Sequence, residues 1–211
     1  MGARRMAGAG RVSMRGLSLI ELMVTIFVLA ILTAVAVPSF RAVMSRSNVA
    51  NATNALAADL QLARGQAASQ HRFVSLCRST TGTSCQVATS EPFNYDVGWI
   101  VYSYDVTSAG ANQTYSTSTG NMQLLRYTTG ITNASVRGKD GAIITFNQTG
   151  EFVTSTGRTT LTFVTCPRKA GLPTTETGTN TTGIPGSLLT LRASGSITVV
   201  PLPPTSSCYA T

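Results

Sequence analysis

Histidine is almost missing from this chain: its 211 residues include one, His71. Metal clusters draw on several imidazole, thiolate or carboxylate ligands, and a serine nucleophile ordinarily needs a histidine base. Both chemistries therefore lose support. Acids are scarce as well, eight in all. Asp96, Asp105, Asp140, Glu151 and Glu176 are scattered, and no pair stands out as an acid–base couple. The nineteen glycines form no Gly-rich stretch with lysine between a strand and a helix, so a phosphate loop is not indicated. The four cysteines lack CxxC spacing. There is no internal repeat. An enzyme is not expected, nor is any cofactor or metal. His71 lies near a predicted helix end, where a cationic side chain suits the dipole, and the single tryptophan, Trp99, is expected in the core.

Charged residues are only 11% of the chain, and the second half is rich in Thr, Ser, Gly and Asn. That composition fits a surface or secreted β-rich domain better than a cytosolic enzyme. Apolar residues reach 43% but are concentrated in residues 17–38. The length suits one domain plus an anchor. The formal charge of +8 points at first to nucleic acid, but Arg4, Arg5, Arg11 and Arg15 all precede Gly16. Without them twelve basic residues face eight acids, about +4, with no dense basic run. Arginines before an apolar segment read as positive-inside topology.

Residues 17–38, LSLIELMVTIFVLAILTAVAVP, are the sole long apolar run. As a helix they span roughly 33 Å, enough for a bilayer core. The N-terminus is then cytoplasmic and the C-terminal part lies outside. Glu21 is the one charge in the run, and an unpaired carboxylate in lipid is costly. The stretch Arg15-Gly16-Leu17-Ser18-Leu19-Ile20-Glu21, a basic leader ending in Gly and followed by an apolar helix with Glu at its fifth position, resembles the type III signal of type IV prepilins and type II secretion pseudopilins. The resemblance implies cleavage by a prepilin peptidase between Gly16 and Leu17, then N-methylation of Leu17. Most major pilins have Phe at that place. It further implies that Glu21 neutralises the N-terminal amine of a neighbouring subunit, a pairing that gives register more reliably than stability. Gly16 lacks a side chain and can present extended backbone to a protease. A rival signal-peptidase site at Ala34-Val35-Ala36 would release a chain beginning at Val37. The long apolar stretch, Glu21 and the nearby Pro38 oppose it.

Pro38 lies inside the helical pattern and is expected to kink the helix rather than end it. Phe40, Val43, Met44, Leu56, Leu60, Ala63 and Ala67 recur at spacings of mostly three to four. They form an apolar stripe with Arg41, Arg46, Asn48, Asn51 and Asp59 among the polar remainder. The helix is predicted to run to about Ser69. Strands are predicted at 72–77, 97–104, 123–128, 142–147, 151–154, 161–166 and 188–200. Residues 144–153 read as a hairpin turning at Asn147–Gly150. Residues 174–183, TTETGTNTTG, read as a polar loop, and the Pro/Ser-rich tail 201–211 needs Cys208 to hold it. An exported domain makes disulfides the default for Cys77, Cys85, Cys166 and Cys208. Three pairings exist; the favoured one joins Cys77 to Cys85 in a short loop and Cys166 to Cys208 across the tail. Four buried thiols are the other reading.

Leu76-Cys77-Arg78 with Cys85, Gly98-Trp99-Ile100-Val101-Tyr102, the hairpin and residues 188–200 resemble, in order, the globular domain of the GspH/FimT/FimU group of minor pilins and H pseudopilins. The expected fold is α+β, a long N-terminal transmembrane and amphipathic helix packed on an antiparallel β-sheet domain. The boundaries are 1–16 leader, 17–38 transmembrane half, 39–70 amphipathic half and 71–211 β-rich domain. The expected function is a minor type IV pilin that primes pilus assembly at the tip, with an H pseudopilin of type II secretion as the alternative and a FimT-like DNA-binding minor pilin for natural transformation as the second alternative. Partners would be other minor and major pilins, the prepilin peptidase and the inner-membrane assembly platform. The location would be the inner membrane, single-pass with a periplasmic domain, and then the filament. Some FimT members bind DNA through a late G-R-x-R element. Here the stretch is Gly195-Ser196-Ile197-Thr198, without either arginine. Arg192, Arg168 and Lys169, with Arg137, Lys139 and Arg158, are the cations left for such a contact.

Overall fold

The computed structural model describes residues 18–87, 93–107, 109–118, 120–139, 143–154, 157–169 and 171–210. Its first element is one helix, α1 (Leu19–Gln70), which contains Pro38 without ending there. The ring removes one backbone donor and crowds the preceding turn, but the helix runs past it to Gln70, 52 residues in all. The helix stops at His71, whose φ of 53° is the left-handed conformation that commonly closes helices.

The chain divides into two compact units, residues 1–40 and 41–211. In the first, every described residue is exposed. The second holds ten strands: β1 (Phe73–Arg78), β2 (Phe93–Asn94), β3 (Gly98–Tyr104), β4 (Met122–Thr129), β5 (Ala134–Gly138), β6 (Ile144–Phe146), β7 (Phe152–Thr154), β8 (Thr160–Pro167), β9 (Ser187–Arg192) and β10 (Ile197–Pro201). They make two antiparallel sheets, ordered β4-β3-β1-β6-β7 and β10-β9-β8-β5-β2.

Helix, first sheet and second sheet share one core. Ala52, Leu56, Leu60, Ala63 and Ala67 present one helical face, separated by three or four residues. Against it pack Val74, Leu76, Trp99 and Val101 of the first sheet and Val136, Leu161, Phe163, Leu189 and Leu191 of the second. The expected stripe is shorter than its sequence: the sheets cover α1 only from Val49 onward, and Phe40, Val43 and Met44 are exposed. The other face of the first sheet is covered too, by a second cluster of Cys77, Ile100, Tyr102, Tyr104, Tyr115 and Ile143. This explains why β3, GWIVYSY, is buried at every residue and shows no polar alternation. Its inward hydroxyls are paired, with Ser75 Oγ 3.0 Å from Tyr104 Oη and 2.7 Å from Thr145 Oγ1.

The 144–153 hairpin forms as expected. The Gly150 N–H donates to Asn147 O at 2.9 Å, and Gly150 takes a positive φ of 79°. Residues 188–200 differ from expectation. They are two strands, not one, because Gly195 turns the chain with a φ of 74° and donates its N–H to Arg192 O at 2.7 Å. Strands β2 and β5 were not expected at all. The predicted strand at 142–147 begins at Ile144 among the described residues, Ala142 lying outside them.

Candidate assembly segment and its anchorage

The first-unit helix has a single ionisable side chain between Leu19 and Phe40, Glu21, in its first turn. A carboxylate there faces the positive end of the helix dipole. Around it lie Leu19, Ile20, Leu22, Met23, Val24, Ile26 and Phe27, each more than half exposed. Among the described residues α1 is the one helix long and apolar enough to cross a membrane. So extended an apolar surface marks contact with lipid or protein. Gly16 and Leu17, the expected cleavage pair, lie outside the described residues.

Asp59 ties the outer part of α1 to the first sheet. It was expected on the polar side, but it is buried, with 1% of its surface accessible. Its carboxylate accepts hydrogen bonds from Trp99 Nε1 at 2.8 Å, Arg126 Nη1 at 2.7 Å and Thr128 Oγ1 at 2.7 Å. The donors come from β3 and β4, so one side chain fixes helix and sheet in register. Trp99 is in the core as expected, and its N–H is satisfied there. Earlier in α1, Arg46 donates to Gly183 O through Nε at 2.9 Å and Nη2 at 2.6 Å. Arg64 Nε donates to Gly150 O at 3.2 Å.

A second polar cluster corrects the reading of the basic residues. Arg137 and Arg168 are buried, and both donate to the buried carboxylate of Asp96. Arg137 also donates to Asn94 Oδ1 at 2.7 Å and to Thr174 O at 2.9 Å. Arg168 donates to Thr132 O at 3.1 Å and to Ile131 O at 2.7 Å. Burial pushes the Asp96 carboxyl above its ordinary value, against the pull of Arg137 and Arg168. Neither guanidinium is open to a phosphate, so Arg168 is removed from the candidate nucleic-acid contacts. Its sequence neighbour Lys169 is exposed, as is Arg192 on β9. Arg78 is a third arginine turned inward; it lies over the Phe93 ring at 5.7 Å, and burial lowers its pKa from the ordinary guanidinium value.

Arg137 also holds the 174–183 segment, which composition alone marks as a plain polar loop, by donating to Thr174 O at 2.9 Å and Glu176 O at 3.0 Å, and Arg168 reaches Glu176 O at 3.4 Å. Gly178 donates its N–H to Ser135 Oγ at 2.9 Å, and Asn180 Nδ2 donates to Pro203 O at 2.6 Å. The tail is held by a disulfide between Cys166 and Cys208, packed with Val164 and Leu202. A second disulfide joins Cys77 to Cys85. Among the described residues no three His, Cys, Asp or Glu side chains are grouped to hold a metal ion.

Comparison with known proteins agrees with this arrangement. Residues 52–183, more than half of the chain, match the family model described as type II transport protein GspH. Residues 11–37 match the prokaryotic N-terminal methylation motif. No curated protein sequence matches the chain. A crystal structure of the type IV minor pilin FimU of Pseudomonas aeruginosa (strain PAO1) in space group P21 aligns with a TM-score of 0.50 at 22% identity, covering 78% of this chain and 97% of that one. A second crystal form of FimU, in space group P65, gives a TM-score of 0.46 at 23% identity, over 75% of this chain and 98% of that one. A family model running from the buried part of α1 through β8, a methylation motif over the exposed part of the helix, and the FimU fold agree: the chain belongs to the GspH family, as a pilin-like protein of the GspH/FimT/FimU group.

Proposed function

We propose that this protein is a minor type IV pilin, a structural subunit that primes pilus assembly, near the filament tip. A prepilin peptidase cuts between Gly16 and Leu17 and methylates the new amine. The subunit waits in the inner membrane with its globular domain in the periplasm, and the assembly platform then moves it into a filament with other minor and major pilins. The observation that carries this reading is the exposed apolar helix with Glu21 as its sole ionisable group up to Phe40. An anchor that only held a domain in lipid would gain by replacing that carboxylate with Leu or Ala. A carboxylate that meets a neighbour's N-terminal amine sets the register of stacking instead. Pro38, inside the helix, gives the segment a point of local bending during packing.

A second reading has a specific observation in its favour. The matching family model is described as type II transport protein GspH, which favours an H pseudopilin as the second reading, one that would call for the same processing and the same helix. Deleting the gene in a retraction-deficient strain and quantifying sheared surface pili separates the two. Loss of pili, restored by complementation, supports the pilin. Normal pili with loss of secreted exoproteins supports the pseudopilin. Normal pili and normal secretion overturn both.

A further inference from the structure

The two sheets leave four edges, formed by β4, β7, β10 and β2. An open edge carries unpaired N–H and C=O groups and invites a further strand, so folded chains blunt theirs. Three of the four are blunted here. β2 has two residues. β7 has three, and the N–H of its Phe152 already donates to Ala193 O at 3.1 Å. β4 is longer, but its register slips beside Val101 and Tyr102, which leaves Leu125 without an opposite residue, and Arg126 places a charge on it. β10 has neither device. Ile197-Thr198-Val199-Val200-Pro201 is uncharged, and its register with β9 is unbroken. Val199 and Val200 are 45% and 49% exposed.

The hydrogen bonds at either end of the β9–β10 ladder show which backbone groups are free. Arg192 N–H donates to Ser196 O at 3.0 Å, and Leu202 N–H donates to Gly186 O at 2.8 Å. Hydrogen-bonded positions of an antiparallel pair recur at every second residue, so Thr198 and Val200 point their backbone groups at β9. Ile197, Val199 and Pro201 point theirs away. Among the described residues these outward groups have no hydrogen-bond partner. Proline has no N–H, so the edge offers two donors, on Ile197 and Val199, and the three carbonyls of Ile197, Val199 and Pro201.

These groups select the occupant. Donor and acceptor recur about every 6.8 Å, the interval at which an extended backbone repeats its own. A helix spends its groups on itself. Ile197 and Val199 lie on the core face, opposite Leu191 and Leu189, and Thr198 and Val200 lie on the other face. A strand laid beside them meets β-branched side chains on both faces and no charge, so a matching strand is uncharged and β-branched as well. Every strand pair in the second sheet is antiparallel. Antiparallel pairing of two copies of β10, about a two-fold axis normal to the sheet, would reverse the buried part of α1, which packs along the core face. Two copies anchored in one membrane from the same side cannot meet in that way, an exclusion that rests on the membrane-anchored reading proposed above. We propose that β10 is a docking edge for an extended, uncharged strand of a different protein, which adds antiparallel beside Ile197 and Val199 as a sixth strand of the second sheet.

The test follows amide hydrogen exchange of the full chain in detergent micelles by NMR. Alone, the amides of Ile197 and Val199 should exchange roughly a hundredfold faster than those of Thr198 and Val200. The probe is the acetylated and amidated peptide Thr-Val-Thr-Val-Thr at millimolar concentration. It should protect Ile197 and Val199, and the same peptide with every backbone nitrogen methylated should protect neither. Val199→Pro removes an outward N–H at an edge position that tolerates proline; it should weaken the peptide roughly tenfold at unchanged melting temperature. If that variant does not fold, Val199→Lys places a charge on the edge and carries the same expectation. Slow exchange of Ile197 and Val199 before the peptide is added, no protection with it, equal protection by the methylated peptide, or unaltered affinity in the folded variant would each overturn the proposal. So would a concentration-dependent dimer abolished by Val199→Pro, which would make a second copy the occupant. Piliation enters none of these readings, so the docking edge and the filament role fail separately.

Discussion

Replacing Asp59 with alanine should be among the most damaging single changes in the globular unit, although the residue is a lone acid on a helix. Three donors converge on its carboxylate, at 2.7–2.8 Å. They do not lose equally when it goes. The Arg126 side chain is about half exposed and turns to water at small cost. Trp99 Nε1 belongs to a residue with no accessible surface, and its donor is left without a partner. An orphaned buried donor costs about 1–3 kcal/mol, and a lost bond to a charged group costs about 1.5–3 kcal/mol. The helix–sheet contact also loses packed volume. The expected destabilisation is about 3 kcal/mol, or roughly 6–12 °C in melting temperature for a unit of this size. The decisive measurement is a double-mutant cycle with Trp99→Phe, in which melting of the full chain in detergent is followed by circular dichroism, since Trp99 is the sole tryptophan. The two changes should be coupled by about 1–2 kcal/mol, because once the indole N–H is gone Asp59→Ala no longer orphans a fully buried donor, and only the more accessible Arg126 and Thr128 lose their acceptor. Additive losses, or an Asp59→Ala variant within about 0.5 kcal/mol of wild type, would refute the account.

Glu21→Ala should leave mature mass unchanged but reduce the subunit's share in sheared filaments; wild-type amounts there would sink the charge-pairing role. A bulky Gly16→Trp change should block maturation, read as retention of the precursor mass. Opening the Cys166–Cys208 link, which spans 42 residues, should cost about 4 kcal/mol, against about 2.5 kcal/mol for Cys77–Cys85, which spans 8. Equal losses in Cys→Ser pairs, measured by urea denaturation, would contradict loop entropy as the cause. Arg168→Met should cost about 3 kcal/mol by leaving the buried Asp96 one cation short, with no change in retention on duplex DNA; a stable variant with weaker DNA retention would reverse the assignment of Arg168 to the interior.

The elements that could be read from sequence are those whose pattern is local. The helix declares itself through an apolar run and then a stripe at three- and four-residue spacing, and it ends within one residue of expectation. β1, β3, β4 and β8 are runs of β-branched, aromatic and aliphatic residues long enough to stand out. What escaped was set by tertiary contact. β5, ASVRG, has a glycine and an arginine in five residues; it is a strand because Asp96 receives Arg137 inside the fold. β2 has two residues and no pattern to detect. Residues 188–200 hid a turn, because Ala193-Ser194-Gly195-Ser196 is short and the apolar alternation resumes on both sides.

Asp59 is the instructive case, because a signal existed. Leu56, Asp59 and Ala63 lie at i, i+3 and i+7, on the face that carries Leu60 and Ala67 into the core. An acid inside an apolar stripe is either unstable or satisfied by buried donors. Composition supplied the candidates, since Trp99 is the one indole and must place its N–H. The same logic applies to Asp96. A sequence with sixteen cations and eight acids invites every arginine to be placed on the surface for a partner. Scarcity works the other way as well, because a buried acid needs cations brought to it. Asp96 takes two from the pool available for anion binding, and Asp59 engages Arg126. A basic composition therefore overstates a basic surface, and Lys139, Arg158 and Arg192 must be judged by where the strand register places them, not by their share of the net charge.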